Sequence, residues 1–255
     1  MKVRYVAEAE GAPIVSSKLL APAVCDEIVR LCDAHVLSGA DPHRTGYASV
    51  ANEDFATEDV EVDTAPALRA YLCSIALLPA VERIFASTFG RTRIYACDDV
   101  FVVRYDAKRQ RELARHVDGG DLSFMVALSP PSSYIGGGTL FEGATATEAT
   151  AVDAAAAGAV LHLDQGDVLA FPAKLFHRGL AITAGLRYLL VGCVRRSQQR
   201  RQYCAVGVLA GSARRSNSPS RCTLHTPLRR IADFATRKIP RRRRHRGTSM
   251  LLHSS

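Results

Sequence analysis

Residues 166–179 read Gly-Asp-Val-Leu-Ala-Phe-Pro-Ala-Lys-Leu-Phe-His-Arg-Gly, an order that predicts a strand, a turn, a histidine and a second turn. Similar short runs, alternating in polarity or rich in β-branched and aromatic residues, recur through the second half of the chain. The other predicted strands are Thr92–Ala96, Asp99–Tyr105, Leu122–Leu128, Thr139–Glu142, Val160–Leu163 and Arg187–Val194. Seven or eight short strands, separated by Pro-Pro and Gly-Gly-Gly turns, favour an antiparallel jelly roll.

The first third of the chain has helical periodicity, with apolar residues every three or four positions. The predicted helices run from Ser16-Ser17 and Pro22 to about His35, over about Ala65–Leu77, and over about Pro79–Phe89. Residues 38–64 are polar and rich in Gly, Asp and Asn, which predicts a long loop over the site. The predicted fold class is therefore α+β, a jelly roll with the N-terminal helices packed on one sheet.

Charge divides the chain into two parts. From Arg195 to Ser255 there are 16 Lys and Arg residues against one acid, whereas residues 1–194 hold 17 bases and 24 acids. The formal net charge of +8 is thus the sum of a mildly acidic body and a strongly basic tail. We expect one domain over residues 1–195, helical over 16–90 and jelly roll over 91–195, followed by a disordered basic tail over 196–255.

Cysteine usage and hydropathy bear on the compartment. The seven cysteines are scattered and form no CxxC motif, which argues against a disulfide scaffold or a zinc site and favours a reducing compartment. The N-terminus lacks the continuous apolar run of a signal peptide, and no run of 18 apolar residues predicts a membrane span. A cytoplasmic or nuclear location and no membrane partner are therefore expected.

A second histidine motif, His116-Val117-Asp118, lies upstream of His177. In a strand, residues i and i+2 point to the same face, so His116 and Asp118 could chelate one ion. Two neutral imidazoles and one carboxylate suit Fe(II) and leave three of six coordination positions open on one face. The sequence therefore predicts that His116, Asp118 and His177 bind iron.

Arg187, in Gly185-Leu-Arg-Tyr188, follows His177 by ten residues. A 2-oxoacid that chelates the metal and carries a second carboxylate needs a cation several ångströms away, and Arg187 could supply a bidentate fork. Tyr105 and Ser123, on predicted strands near the metal segment, could each add a hydroxyl.

Seven short motifs thus stand in a fixed order along the chain. They are Phe101–Tyr105, His116–Asp118, Ser123–Leu128, Gly136–Thr139, Gly166–Phe171, His177–Gly179 and Gly185–Tyr188. Together they resemble the catalytic domain of the 2-oxoglutarate- and Fe(II)-dependent dioxygenases, particularly the prolyl 4-hydroxylase and lysyl hydroxylase branch. The resemblance spans roughly residues 16–195, whereas the Ala/Thr-rich segment 143–159 and the tail have no counterpart in it.

The resemblance implies a double-stranded β-helix in which His116, Asp118 and His177 hold Fe(II). It implies that Arg187 pairs with the distal carboxylate of 2-oxoglutarate, with Tyr105 and Ser123 as further contacts. It also implies hydroxylation of a prolyl or lysyl side chain of a polypeptide, with succinate and CO2 as coproducts and ascorbate as a reductant. An arginine in the Gly-x-Arg-Tyr motif is similar to the lysyl hydroxylases and the oxygen-sensing prolyl hydroxylases.

Two other functions fit parts of the sequence. Lys/Arg runs bind phosphate backbones, so the tail, with its cluster Arg241–Arg244, favours a nucleic-acid demethylase of the same superfamily. Such demethylases usually carry a second arginine six residues after the first, where this chain has Cys193. A non-catalytic cupin-like binding module would be indicated by a missing ligand, and none is missing. The tail fits equally a solvated linker or a translated intron, and a small-molecule substrate also stays open.

Overall fold

The computed structural model describes residues 2–10, 12–40, 44–49, 57–90, 95–146 and 158–196, which hold three helices and a larger set of strands. The helices are α1 (Pro22–Leu37), α2 (Pro66–Ser74) and α3 (Leu77–Phe89), with 3-10 turns at Val62–Thr64 and Pro131–Ser133. The strands are β1 (Arg4–Ala9), β2 (Ala12–Lys18), β3 (Arg44–Thr45), β4 (Ala48–Ser49), β5 (Asp59–Glu61), β6 (Tyr95–Asp106), β7 (Leu113–His116), β8 (Leu122–Ala127), β9 (Tyr134–Gly136), β10 (Thr139–Glu142), β11 (Ala144–Ala146), β12 (Gly158–Leu161), β13 (Asp167–Pro172), β14 (His177–Gly179) and β15 (Ile182–Arg196).

The strands form two main antiparallel sheets. The large sheet has the order β11-β1-β2-β13-β8-β15-β6-β5, with β9 paired to β15, and the small sheet has the order β12-β10-β14-β7. Neighbours in these sheets are mostly distant in the sequence, as expected for a jelly roll. The predicted mainly antiparallel architecture with few helices is therefore confirmed.

Alternate side chains of the central strands point into two separate apolar clusters. In β6, Val102 belongs to the first cluster and Val103 to the second; in β15, Leu190 and Leu189 divide in the same way. Successive residues of a strand face opposite sides of a sheet, so a strand covered on both faces reads as a continuous apolar run. The first cluster also contains residues of the helices, such as Ile28, and the second contains residues of the small sheet.

The predicted start of the first helix was wrong. Ser16 and Ser17 do not open a helix; they lie buried in β2, which pairs with β13 at Leu169↔Ser16 and Val168↔Ser17. Helix α1 begins only at Pro22, which suits the first turn because its missing N–H needs no partner there. Pairing with a strand some 150 residues away outweighed the local helix signal.

The predicted loop 38–64 is also partly wrong, because it contains β5, which pairs with β6 at Asp59↔Val103 and Glu61↔Phe101. The short hairpin of β3 and β4 falls in the same stretch. In the segment 143–159, residues 144–146 form β11 on β1 and Gly158 starts β12, while residues 147–157 lie outside the described residues. The predicted tail lies outside them too, except for Arg196, which ends β15.

The sequence argued against a disulfide scaffold, but Cys73, in α2, is disulfide-bonded. The thiols of Cys25, Cys32 and Cys193 are buried. Among the described residues no single helix has the length and apolar composition to cross a membrane; α2 and α3, bent by 56° to each other, meet that criterion only when taken together.

Candidate metal and cosubstrate site

The structure brings His116, Asp118 and His177 together. His116 ends β7 and His177 begins β14, and these two residues face each other in the antiparallel pairing of the two strands. The Nε2 atoms of His116 and His177 lie 3.5 and 3.7 Å from Oδ1 of Asp118. One ligand atom from each side chain lies within 4.8 Å of the other two. Two atoms that each bind one ion at about 2.1 Å are at most about 4.2 Å apart, so the carboxylate–imidazole distances suit a shared metal.

Backbone carbonyls orient both imidazoles. Nδ1 of His116 lies 2.7 Å from the carbonyl oxygen of Ala114, and Nδ1 of His177 lies 3.0 Å from that of Leu175. A carbonyl accepts only, so each Nδ1 carries a proton, and each Nε2 is the ring nitrogen left to bind a metal beside Asp118. This second hydrogen bond is the arrangement that metal-binding histidines usually have.

The loop after β7 holds Asp118 in place. Its backbone N–H donates to the carbonyl of Ala173 at 2.9 Å, and Nζ of Lys174 donates to its carbonyl at 3.1 Å. The Asp118 side chain is only 5% exposed, and its Oδ2 is buried without a hydrogen-bond partner among the described residues. A buried carboxylate oxygen without a partner is costly, and a cation at this position would satisfy it.

The electrostatics favour the metal-binding forms of Asp118 and His177. Burial would lower the pKa of His116, but its hydrogen bond to Asp118 and the charge of that carboxylate outweigh burial and raise this pKa. Burial alone would raise the pKa of Asp118, but the hydrogen bond from His116 and the charge of His177 offset this and hold that pKa below its ordinary value. Burial lowers the pKa of His177. An ionised carboxylate and a neutral imidazole are the forms in which these side chains bind metals, so the donor set and its charge fit Fe(II).

Arg187 is a buried cation on β15. It is 3% exposed, yet its guanidinium is paired with no carboxylate of the described residues. Its Nη1 donates to the carbonyl of Gly138 at 3.2 Å and its Nη2 to Oγ1 of Thr139 at 3.5 Å, and its Cζ lies 5.2 Å from the centre of the Tyr105 ring. An arginine buried without a counter-ion indicates an anionic ligand, since the protein alone does not offset the cost of removing its charge from water.

Tyr105 and Gly179 fit each other across the two sheets. Tyr105 is directly opposite Arg187 in the pairing of β6 with β15, and its buried hydroxyl points toward Gly179 of β14. A Cβ at position 179 would collide with that hydroxyl oxygen, so only glycine leaves room for it. The glycine that follows His177 in the sequence therefore has a steric reason, which the sequence alone did not reveal.

Ser123 lies at the opposite end of the site from Arg187. It is fully buried in β8, faces Cys193 of β15, and is among the groups that lower the pKa of Asp118. Cys193 lies six positions after Arg187 in β15, which is about 20 Å of extended chain. Ser123 is therefore nearer to Asp118 than to Arg187, and its contact with the cosubstrate stays a prediction.

One cavity joins these parts. It is lined by the three candidate ligands, by Tyr105 and by Gly179. Sequence reasoning missed two further groups in its wall. Thr139 was predicted only as the end of the Gly136–Thr139 motif and the start of a strand, with no role in the site, although its hydroxyl lies 3.5 Å from Nη2 of Arg187. The other missed wall residues are Asp59, Glu61 and Asp99, of which the first two fell in the predicted loop.

The acidic wall lies along the edge of the large sheet. Asp99 is part of β6, and Asp59 and Glu61 belong to the edge strand β5 beside it. Burial, followed by the negative charges of Glu61, Asp59 and Asp63, raises the pKa of Asp99 to about 6. Between this wall and the metal ligands the cavity is mainly apolar, with Phe101, Val191 and other strand residues.

Comparison with known proteins supports the resemblance found in the sequence. No family model matches the chain. The procollagen lysyl hydroxylase and glycosyltransferase of Acanthamoeba polyphaga mimivirus is 28% identical over 198 residues, which is 71% of this chain. The match covers 19% of that relative, so this chain spans about a fifth of its length. The resemblance to the prolyl and lysyl hydroxylase branch of the 2-oxoglutarate- and Fe(II)-dependent dioxygenases is thereby confirmed.

Solved structures bear on the fold. AviO1 from Streptomyces viridochromogenes Tue57 superposes with a TM-score of 0.50 and 16% identity, covering 73% of this chain and 91% of AviO1. The viral collagen prolyl hydroxylase of Paramecium Bursaria Chlorella virus-1 reaches a TM-score of 0.47 at 16% identity, covering 74% of this chain and 93% of that structure. At such identities a structural likeness concerns the fold alone.

Proposed function

We propose that this chain is an Fe(II)- and 2-oxoglutarate-dependent dioxygenase that hydroxylates a side chain of a polypeptide, releasing succinate and CO2. The observation that carries the proposal is a single cavity lined by His116, Asp118 and His177 and also by Thr139 and Tyr105. The last two contact the buried Arg187, which pairs with no carboxylate among the described residues. A metal-chelating acid with a second carboxylate is the cosubstrate that satisfies both ends.

The chain's part at the metal end is to hold Fe(II) through Nε2 of His116, Nε2 of His177 and a carboxylate oxygen of Asp118. When bound, the ion supplies the redox chemistry that couples decarboxylation of 2-oxoglutarate by dioxygen to hydroxylation of the substrate. The carbonyls of Ala114 and Leu175 fix the tautomers, so the ligands need no rearrangement before binding.

At the other end Arg187 binds the distal carboxylate of 2-oxoglutarate. Its Nη2 now contacts Thr139, so a carboxylate that replaces this long 3.5 Å contact gains a charge-assisted hydrogen bond. Thr139 and Tyr105 line the cavity in front of Arg187 and offer hydroxyl donors to the same carboxylate. The apolar residues between the two ends, including Leu189, keep water out while the reaction proceeds.

The charge of the cavity favours a lysyl over a prolyl side chain. A prolyl ring brings no charge, whereas a lysyl side chain has an apolar stem and a terminal ammonium. The apolar middle of the cavity matches the stem, and the wall formed by Asp59, Glu61 and Asp99 attracts the ammonium. A lysyl hydroxylase is also part of the name of the mimivirus relative.

Other parts of the proposal rest on the resemblance. Ascorbate would restore iron oxidised without substrate. Helices α1, α2 and α3 would back the large sheet on the face away from the metal, which the shared apolar cluster of helix and sheet residues supports. Nucleic-acid binding by the basic tail remains a prediction from its sequence, since residues 197–255 are not described.

The test is anaerobic binding of Fe(II) and 2-oxoglutarate to the full chain, followed by aerobic turnover of peptides read by mass spectrometry. Three peptides that differ at one position (Lys, norleucine or Pro) separate charge from shape. We expect a gain of one oxygen on the Lys peptide and matching succinate release. The variant Asp118→Asn is the metal-site control. Absence of both Fe(II) binding and succinate formation would contradict the enzymatic proposal, whereas turnover of the Pro peptide alone would contradict only the choice of substrate.

A further inference from the structure

The two histidines belong to one row across the inner face of the small sheet. In the pairings of this sheet Phe141 of β10 faces His177 of β14, and His177 faces His116 of β7. The rings follow one another, with centroids 5.4 Å apart for Phe141 and His177 and 4.3 Å apart for the two histidines. The relative position of the two imidazoles is thus set by how β7 pairs with β14.

The backbone specifies that pairing only weakly. β14 has three residues, and its pairing with β7 is recorded at two positions, His177↔His116 and Gly179↔Leu113, with an irregularity between them. In addition, β7 is the edge strand of this sheet. A slip by one residue would turn His116 away from the cavity and bring Arg115 into it, because neighbouring side chains of a strand face opposite sides.

A second row crosses the outer face of the same sheet. Nε of Arg115 donates to Oε1 of Glu142 at 2.6 Å, and its Cζ lies 3.6 Å from the centre of the Phe176 ring. The backbone N–H of Glu142 donates to the carbonyl of Phe176 at 3.0 Å. Each of these residues is the direct neighbour in sequence of a member of the inner row.

We propose that Arg115, Phe176 and Glu142 form a clamp that fixes the register of β7, β14 and β10 and thereby positions His116 beside His177. The three are positioning residues, because none of them lines the cavity that holds the candidate ligands. This inference rests on the proposed function only in taking the two histidines as metal ligands.

The geometry explains why an arginine is needed. β14 lies between β7 and β10, so Arg115 and Glu142 stand on strands two spacings apart, about 9.5 Å. The long side chain of Arg115 crosses over the chain at Phe176 to reach the carboxylate. It also covers a ring that is 38% exposed, so the contact combines an ion pair with a cation–π interaction. Both contacts form only in the register that points His116 inward.

Arg178 provides a matched control. It is an exposed arginine of β14, next to His177, and it takes part in no ion pair among the described side chains. Removing either positive charge should by itself strengthen the binding of a cation nearby. If Arg115→Ala weakens metal binding while Arg178→Ala does not, the loss of positive charge cannot be the cause, because that loss alone would strengthen metal binding.

The experiment measures anaerobic Fe(II) binding and amide hydrogen exchange of the metal-free full chain for the wild type, Arg115→Ala and Arg178→Ala. We expect Arg115→Ala to weaken Fe(II) binding about tenfold, the scale on which groups supporting metal ligands act. We expect faster exchange of the β7 amides in the same variant. Arg178→Ala should show neither change. The milder variants Glu142→Gln and Phe176→Leu should also weaken Fe(II) binding and speed the exchange of the β7 amides, by smaller amounts. They keep the test valid if Arg115→Ala folds poorly.

Equal Fe(II) affinity of the wild type and Arg115→Ala, with unchanged exchange in β7, would overturn the clamp. Equal weakening by Arg115→Ala and Arg178→Ala would do the same, since it would indicate a general loss of stability. If the wild type binds no Fe(II), the proposed function fails, and the exchange of β7 alone decides whether the clamp exists.

Discussion

The two walls of the cavity are built in different ways. Arg187 and Tyr105 lie on β15 and β6, which pair continuously from Leu186↔Asp106 to Val191↔Phe101 and, past one irregularity, on to Arg196↔Tyr95. The two histidines lie on the short strands of the small sheet, where β7 and β14 pair at two recorded positions. The wall formed by β6 and β15 is thus fixed by a long ladder of backbone hydrogen bonds, whereas the wall formed by β7 and β14 has only a short and irregular one.

The largest effect should follow from removing a ligand on the weakly paired wall. His177→Ala should reduce 2-oxoglutarate turnover to background, because two of three ligands do not retain the metal in a productive arrangement. Succinate release with saturating Fe(II) measures it, with His35→Ala on α1 as the matched histidine control. Full turnover by His177→Ala would remove the iron assignment.

On the continuously paired wall, Arg187→Ala should raise the 2-oxoglutarate concentration needed for half-maximal turnover on the order of a hundredfold, the usual scale for a buried charge pair that loses one partner. Fe(II) binding without 2-oxoglutarate should not change. Arg187→Lys keeps the positive charge but loses the bidentate guanidinium. Its requirement for 2-oxoglutarate should therefore lie between those of the wild type and Arg187→Ala. An unchanged requirement for 2-oxoglutarate would mean that Arg187 is purely structural.

The two walls meet where Gly179 of β14 packs against the Tyr105 hydroxyl of β6, and a substitution at Gly179 tests this contact. In Gly179→Ala the new methyl group collides with the Tyr105 hydroxyl, so we expect about 1–3 kcal/mol loss in the free energy of unfolding and weaker 2-oxoglutarate binding. Chemical denaturation and cosubstrate titration measure these. Gly119→Ala is the control, since a Cβ there meets no atom within 4 Å. Adding Tyr105→Phe should recover part of the loss, and no recovery would show that the hydroxyl is not the obstacle.

The smallest effect concerns the acidic edge of the large sheet. Because the pKa of Asp99 is raised to about 6 in the folded protein, the folded state holds this proton more tightly than the unfolded chain. Stability should therefore fall as pH rises from about 4 to about 6 and level off above, by at most about 3 kcal/mol. Asp99→Asn should lack this fall in urea unfolding across pH, unlike the exposed control Asp164→Asn. Identical profiles for Asp99→Asn and the wild type would contradict the assignment.

Short-range sequence patterns predicted many residues of the site, but they did not predict which strands pair or which side chains meet across the two sheets. His116, Asp118, His177 and Arg187 could be selected because each stands in a recognisable local motif, and the structure brings the first three together. The strand β2 could not be predicted, because its partner β13 is distant in the sequence and Ser16-Ser17 also suits a helix start. Contacts such as Gly179 with Tyr105 depend on how two sheets face each other, which no local pattern encodes.

Arg187 has no carboxylate partner within the described part of the chain, and this has a thermodynamic consequence. A ligand that binds only the folded state raises its stability by about 2.7 kcal/mol at one hundred times its dissociation constant. Short dicarboxylates should therefore raise the melting temperature of this protein even without iron. Succinate, which retains the distal carboxylate after the reaction, should compete for the same guanidinium, so that accumulated product slows further turnover.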